Sequence, residues 1–334
     1  MSLLVKPDVP MDRLKEILNG YKEMKLLFTA IELDVFSALT EEITAAGCAE
    51  KLNLNARNME YFLNALAAME LLAKKDGKYK NTELSNAYLV KDADLYMGEY
   101  FLFREEFTGI GDVKACLKDG PEASVVKDNR GRDVFDFAHL AELSVNEQRM
   151  GRAEQTSEAI TSIFKDRKFD KMVDIGGGSG VIALAIAEKN PETECYVFDS
   201  KEVIEAATKI IGQYDGENRV KTISGDYVTD DIGSGYDLIL AIASIQFAKN
   251  NFETVLTKIH NSLNDDGLFI SFCGATSCER TKPKDLVLGW LGSHLRGLDV
   301  LPEKGELCSE IEKYGFKLAW QPGIPVGMEV FRKS

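Results

Sequence analysis

The sequence predicts an α/β protein in which a C-terminal parallel sheet covered by helices follows an N-terminal, mostly helical winged-helix domain. Three observations carry this expectation. Apolar residues recur at helical spacing through residues 11–102, short apolar runs alternate with helical segments from residue 172 onward, and a glycine-rich run, Gly176-Gly177-Gly178-Ser179-Gly180, separates the first of those runs from the helix behind it. A chain of 334 residues with 45% apolar content has material for two cores.

In the N-terminal region Leu14, Ile17, Leu18 and Tyr21 fall on one helical face, which Leu26, Leu27, Ala30, Ile31 and Val35 continue. Residues 43–52 and 55–72 read as two short amphipathic helices joined by Asn53-Leu54-Asn55, a helix-turn-helix. The next segment carries Asp76-Gly77 between two short alternating runs, a strong hairpin signal that completes a winged helix. Charge argues against DNA as its ligand. The helix that would enter the major groove holds one base, Arg57, against Glu60 and Glu70, and the whole chain has 54 acids against 40 bases, a net charge of -14. Tyr61, Phe62, Leu63, Leu66, Met69 and Leu71 suit a protein–protein interface instead.

Residues 100–168 read as a helical connector with an irregular, charge-rich stretch at 118–132. Strands are then expected at 172–175, 195–198, 220–224, 237–243 and 268–273, with helices at 181–189, 203–213 and 252–263, the alternation of a parallel sheet covered on both faces. The six cysteines form no C-x-x-C pair, which fits reduced thiols and implies no metal. No secretory h-region is visible, and the richest apolar stretch, 238–245, is far below the ~18 residues that span a bilayer. A soluble, cytoplasmic protein is expected.

The motif that carries chemistry runs from Asp174 to Gly180 as D-x-G-x-G-x-G. A dinucleotide G-x-G-x-x-G begun at Gly176 would put its third glycine on Val181, and no Lys-Ser/Thr closes a P-loop. Asp199 ends the second strand about 20 residues beyond Gly178, where a carboxylate can accept both ribose hydroxyls; that position also suits a nicotinamide dinucleotide. Asp226 follows the third strand in Gly225-Asp226-Tyr227, placed to take an adenine amino group while Tyr227 packs on the ring. Helix N-capping is the structural alternative for both aspartates.

The glycine loop resembles that of class I methyltransferases that bind S-adenosylmethionine, and nearly the whole chain resembles the dimeric small-molecule O-methyltransferase family, which includes plant caffeic-acid and flavonoid enzymes, hydroxyindole enzymes and bacterial polyketide enzymes. Ala30-Ile31-Glu32-Leu33-Asp34-Val35-Phe36, the Val173–Gly180 loop, Gly225-Asp226-Tyr227 and Lys313-Tyr314-Gly315-Phe316 carry the resemblance. It implies a winged-helix dimerisation domain at 1–100, a helical connector at 101–168, a Rossmann-like methyltransferase sheet at 169–334, and a homodimer acting on a small-molecule acceptor without nucleic acid or membrane. It also implies an S-adenosyl-L-methionine site built from Asp174, Gly176, Gly177, Gly178, Asp199, Ser200, Asp226, Tyr227 and Ile242, with Arg149 or Arg152 meeting the cofactor's carboxylate.

The family's phenol-methylating members carry a histidine after the fourth strand and a glutamate after the fifth. Here those positions hold Gln246 and Cys273. Gln246 cannot take a proton, so the expectation is an acceptor positioned by its amide. Several branches lack the base, among them the bacteriochlorophyll C-20 methyltransferase, whose segment after strand four this chain resembles. His294 and Trp290 lie on the segment that roofs the family's acceptor pocket, and Phe103 and Phe107 are further candidates to line it; core roles are the alternative. Two other functions fit the same residues: a base-less relative using S-adenosylmethionine for a reaction other than methylation, and a non-catalytic, ligand-sensing winged-helix regulator.

Overall fold

The computed structural model describes residues 8–165, 167–323 and 325–334; the side chains of residues 106–108 lie outside that description. The chain divides into two compact units, Met1–Arg104 and Glu105–Ser334.

The first unit opens with the helix Asp12–Glu32, which stops where Asp34 takes a left-handed φ of 53° and restarts at once as Val35–Ala38. Residues 43–44 form a short strand, β1 (Ile43–Thr44), where a helix start was expected: two β-branched residues favour extended backbone, and the Thr44 hydroxyl accepts from the Gly47 N–H to cap the helix Ala45–Leu52. Asn53 ends that helix at φ 55°, and Asn55 caps the next, Ala56–Ala68. This second helix ends four residues earlier than expected, because Leu72 already belongs to β2 (Leu72–Lys75), which pairs with β3 (Lys78–Asn81) across a turn holding Asp76 and Gly77 at positive φ. The three strands run in the order β1-β3-β2. Phe36, Leu39, Leu63, Leu66 and Tyr79 are buried in one core, each contributing roughly 1.5–3 kcal/mol by leaving water.

The second unit carries a seven-stranded sheet built from β4 (Lys171–Ile175), β5 (Glu194–Asp199), β6 (Val220–Ser224), β7 (Tyr236–Ile242), β8 (Leu263–Phe272), β9 (Phe316–Trp320) and β10 (Met328–Lys333). Their order is β6-β5-β4-β7-β8-β10-β9. β4 to β8 are parallel, while β10 lies antiparallel to both β8 and β9. Side chains alternate between two cores as a pleated strand requires. Met172, Leu238 and Leu240 pack with the helices Ala153–Ile163, Val181–Lys189 and Lys201–Gln213, whereas Val173, Ile239 and Ala241 pack with Phe252–Ser262 and Glu306–Glu312. Within the stretch expected to be irregular, Ala123–Asp128 is helical and ends at Asn129 in the left-handed region. Gln148–Arg152 is a widened helical turn in which Gly151 adopts φ 141°, a conformation that only glycine adopts readily.

Candidate active site

β4 is the point where the sheet changes direction, since its neighbours are β5 on one side and β7 on the other. In open parallel sheets the crevice at the carboxyl ends of such strands is where ligands bind. Four of the predicted segments meet the sheet at that end: the glycine loop after β4, Asp199 at the end of β5, Asp226 after β6 and Gln246 after β7.

The glycines of the loop have different reasons to be glycine. Gly176, at φ 67°, donates its N–H to the Phe198 carbonyl at 2.8 Å, and a Cβ there would stand 2.5 Å from the Ser244 Cβ. Gly178, at φ 55°, has open space where its Cβ would be. The first lets the β4 and β7 loops touch; the second leaves a surface over which a ligand can lie. Ser179 ties the loop to the widened turn by donating to the Gln148 side chain at 2.8 Å.

Asp199 accepts from the Gly178 N–H at 3.0 Å and from the Ser200 N–H at 2.7 Å, so it is a bracket under the glycine loop. Ser200, not Asp199, occupies the N-cap position of Lys201–Gln213. Burial raises the Asp199 pKa against these two N–H donors. Asp174 is fully buried, and neither of its carboxylate oxygens has a hydrogen-bond partner. Burial first, and then the nearby Asp199, push its pKa up to about 7.

Asp226 is held by Arg130, whose two terminal nitrogens reach its two oxygens at 2.7 and 2.6 Å, and it also accepts from the Val228 N–H at 2.9 Å. The Arg130 hydrogen bond is the main reason its pKa falls below the ordinary carboxylate value. Tyr227 donates to the Ser244 carbonyl at 3.3 Å, and burial pushes its phenol up to about 12. Ile242 closes β7, almost buried. Arg149 lies on the widened turn, hydrogen-bonded to Asn146 at 2.9 Å and 5.6 Å from the Tyr214 ring; Arg152 pairs with Glu147 at 2.6 Å.

On the acceptor side, Ala243 takes a left-handed φ of 55° and turns the chain into the helical turn Ile245–Asn251. Gln246 is 3% exposed; its amide nitrogen donates to the Ala243 carbonyl at 2.9 Å, and its Oε1 has no partner. Phe247 beside it meets Trp290, Phe135 and Phe137, with ring centroids 5.4–6.2 Å apart. His294 lies 6.4 Å from Trp290, and burial holds its pKa below the ordinary imidazole value. Burial pushes the Cys273 thiol up to about 12, so it carries no charge to replace a glutamate. Phe103 belongs to the first unit, and the side chain of Phe107 lies outside the described residues. Sequence reasoning passed over Arg130, Phe135, Phe137 and Gln148. The first three sit in or beside the stretch read as irregular, where no periodicity marks a site.

A doubly wound sheet with a glycine loop and an acid at the end of the next strand defines a nucleoside-binding α/β domain. The model of the O-methyltransferase domain matches residues 122–287, and that of the O-methyltransferase dimerisation domain matches residues 15–91. An uncharacterized protein of Methanocaldococcus jannaschii is 31% identical over 80% of this chain and 72% of its own length. The N,N-dimethyltransferase OxyT of Streptomyces rimosus is 25% identical over 91% of this chain and 90% of its own. Human N-acetylserotonin methyltransferase, solved in complex with its cofactor, superimposes with a TM-score of 0.80 at 19% identity, covering 99% of this chain and all of that one. The chain belongs to the O-methyltransferase family. It is an S-adenosylmethionine-dependent methyltransferase, and the residues present fit that cofactor: Gly178 has open space where a Cβ would stand, and Asp199, which accepts from the Gly178 N–H, sets a carboxylate beside that opening.

Proposed function

We propose that this enzyme methylates a hydrophobic aromatic or macrocyclic small molecule by direct in-line transfer, without a side-chain general base at the family's histidine position. The observation that carries this reading is Gln246, buried beside the Phe247–Trp290 cluster with an unsatisfied Oε1. A glutamine amide can orient an O–H or N–H through its oxygen but takes no proton. When bound, S-adenosylmethionine supplies an electrophilic methyl group on a sulfonium. The chain's own residues then hold and orient: Asp199 the ribose, Asp226 and Tyr227 the adenine, Arg149 the carboxylate, and the aromatic cluster the acceptor.

Magnitudes allow transfer without the histidine. A positioned base contributes about 10²–10⁴-fold, whereas alignment of two reactants supplies several powers of ten by itself. An acceptor that is already acidic, or whose nucleophile is carbon or nitrogen, fits such a site. The N,N-dimethyltransferase relative is in keeping with this. His294, with its lowered pKa, is neutral near pH 7 and is the one histidine we assign to the acceptor side. We further propose that the enzyme works as a homodimer in the cytoplasm; all six cysteines are unbonded, and among the described residues no helix is long and apolar enough to cross a membrane.

Calorimetry with S-adenosylhomocysteine tests the cofactor cradle. Asp199→Ala is expected to weaken binding by about 1–3 kcal/mol, the range for hydrogen bonds to a charged acceptor. Equal binding by the variant would overturn the assignment. A screen of phenols, amines and tetrapyrroles for release of S-adenosylhomocysteine then separates methyl transfer from a different use of the cofactor.

A further inference from the structure

Asp226 is the only residue of the proposed cofactor cradle whose carboxylate is gripped at both oxygens by one cation among the described residues. Arg130 reaches it from the segment that follows Ala123–Asp128, far away in sequence, with a side chain only 12% exposed. A guanidinium so placed forms a planar fork that fixes a carboxylate's orientation as well as its charge. The same guanidinium lies 5.5 Å from the Tyr227 ring, so one group contacts both residues assigned to the adenine.

Counting lone pairs shows what is left for a ligand. Oδ1 accepts from Arg130 and from the Val228 N–H, which fills its two positions, while Oδ2 accepts from Arg130 alone at hydrogen-bond distance. Arg132 stands farther from Oδ2, at 3.7 Å. One acceptor position on Oδ2 is therefore open, and its direction is fixed by the fork. Arg130 is itself anchored. Its backbone N–H donates to Asp128 at 3.2 Å, and at the following Gly131, at φ 75°, a Cβ would press on Phe135 and Phe247 at 2.9 and 3.0 Å. The arm that carries the guanidinium is thus packed on the aromatic cluster beside Gln246.

We propose that Arg130 is a positioning residue for cofactor recognition: its fork aims the free lone pair of Asp226 Oδ2 at the 6-amino group of the adenine. The proposal rests on the assignment of Asp226 to the adenine. Arg130 has no part in the methyl transfer; it makes one hydrogen-bond direction available in advance.

The test compares two ligands on each protein: S-adenosylhomocysteine and its analogue in which the purine 6-amino group is replaced by hydrogen. Wild type is expected to prefer the amino ligand by about 10–160-fold, the span of one hydrogen bond to a charged acceptor. Arg130→Ala and Arg130→Lys, which removes the fork but keeps the charge, are expected to bring that ratio close to one, whereas Arg132→Ala leaves it unchanged. Because the ratio is internal to each protein, a general loss of affinity or stability does not imitate the result. If Asp226→Ala keeps the wild-type preference, the adenine assignment fails. If Asp226→Ala abolishes the preference and Arg130→Ala does not, the assignment stands and the role of Arg130 is overturned. A rise of the preference in Arg130→Ala would overturn it too, showing that the guanidinium competes with the adenine.

Discussion

Asp174 and Gln246 are the two side chains whose unsatisfied oxygens show what the site lacks. Asp174 has a native pKa raised from 3.8 to about 7, so the folded protein binds a proton that the unfolded chain releases near pH 4. The sign follows: this carboxyl contributes stability below pH 4 that is lost as pH rises toward 7, worth up to roughly 4 kcal/mol. In cofactor-free protein the melting temperature of Asp174→Asn relative to wild type is expected to climb between pH 4 and pH 7.5, measured by scanning calorimetry. A difference that stays flat with pH would show that Asp174 is ionised throughout. Gln246 gives a kinetic expectation. Gln246→Ala should lower turnover by less than the 10²–10⁴-fold of a lost general base, and Gln246→His should confer weak activity on a simple phenol, whose pKa near ~10 calls for a base. Abolished turnover in the alanine variant with cofactor affinity intact would refute the positioning role.

At the scale of elements, the glycine loop was legible because its spacing excludes its rivals, and the central strands β4 and β7 because parallel strands buried on both faces are mostly apolar runs. The helix at Ala123–Asp128 was not legible. It is six residues long, too short for apolar periodicity to show, and it ends at Asn129, whose side chain accepts from the Asp299 N–H at 2.9 Å across the unit. Arg130 was hidden for the same reason: its partner is 96 residues away, a distance that only the fold closes. The loop itself offers a comparison of two substitutions. Gly178→Ala meets only the left-handed backbone penalty, about 1–2 kcal/mol, because nothing stands near its Cβ. Gly176→Ala meets that penalty and a 2.5 Å clash with Ser244, and overpacking of this kind adds about 1–3 kcal/mol. Thermal melting is expected to drop further for Gly176→Ala, while Gly178→Ala melts nearer wild type and loses affinity for S-adenosylhomocysteine. The reverse order of melting would show that the two glycines are not divided between packing and ligand access.

For the molecule as a whole, the N-terminal helix poses the remaining question. Of its 21 residues, Asp12–Glu32, only Ala30 and Ile31 are buried. Leu14, Ile17, Leu18 and Tyr21 are 57, 54, 66 and 63% exposed, and their spacing places them on one stripe of the helix. A contiguous exposed apolar stripe marks an interaction surface. The match of the dimerisation-domain model to residues 15–91 includes three of the four, and a self-complementary pairing of two chains is the commonest way to cover such a stripe. Light scattering at micromolar concentration is therefore expected to give about twice the 37.1 kDa chain mass. Leu18→Glu in the middle of the stripe should shift that value toward one chain, since a like charge pair and two unsolvated carboxylates would meet across an isologous contact. Circular dichroism unchanged from wild type would show that the variant still folds. A wild-type mass of one chain would refute the pairing, and a Leu18→Glu variant that stays dimeric would move the interface off this helix.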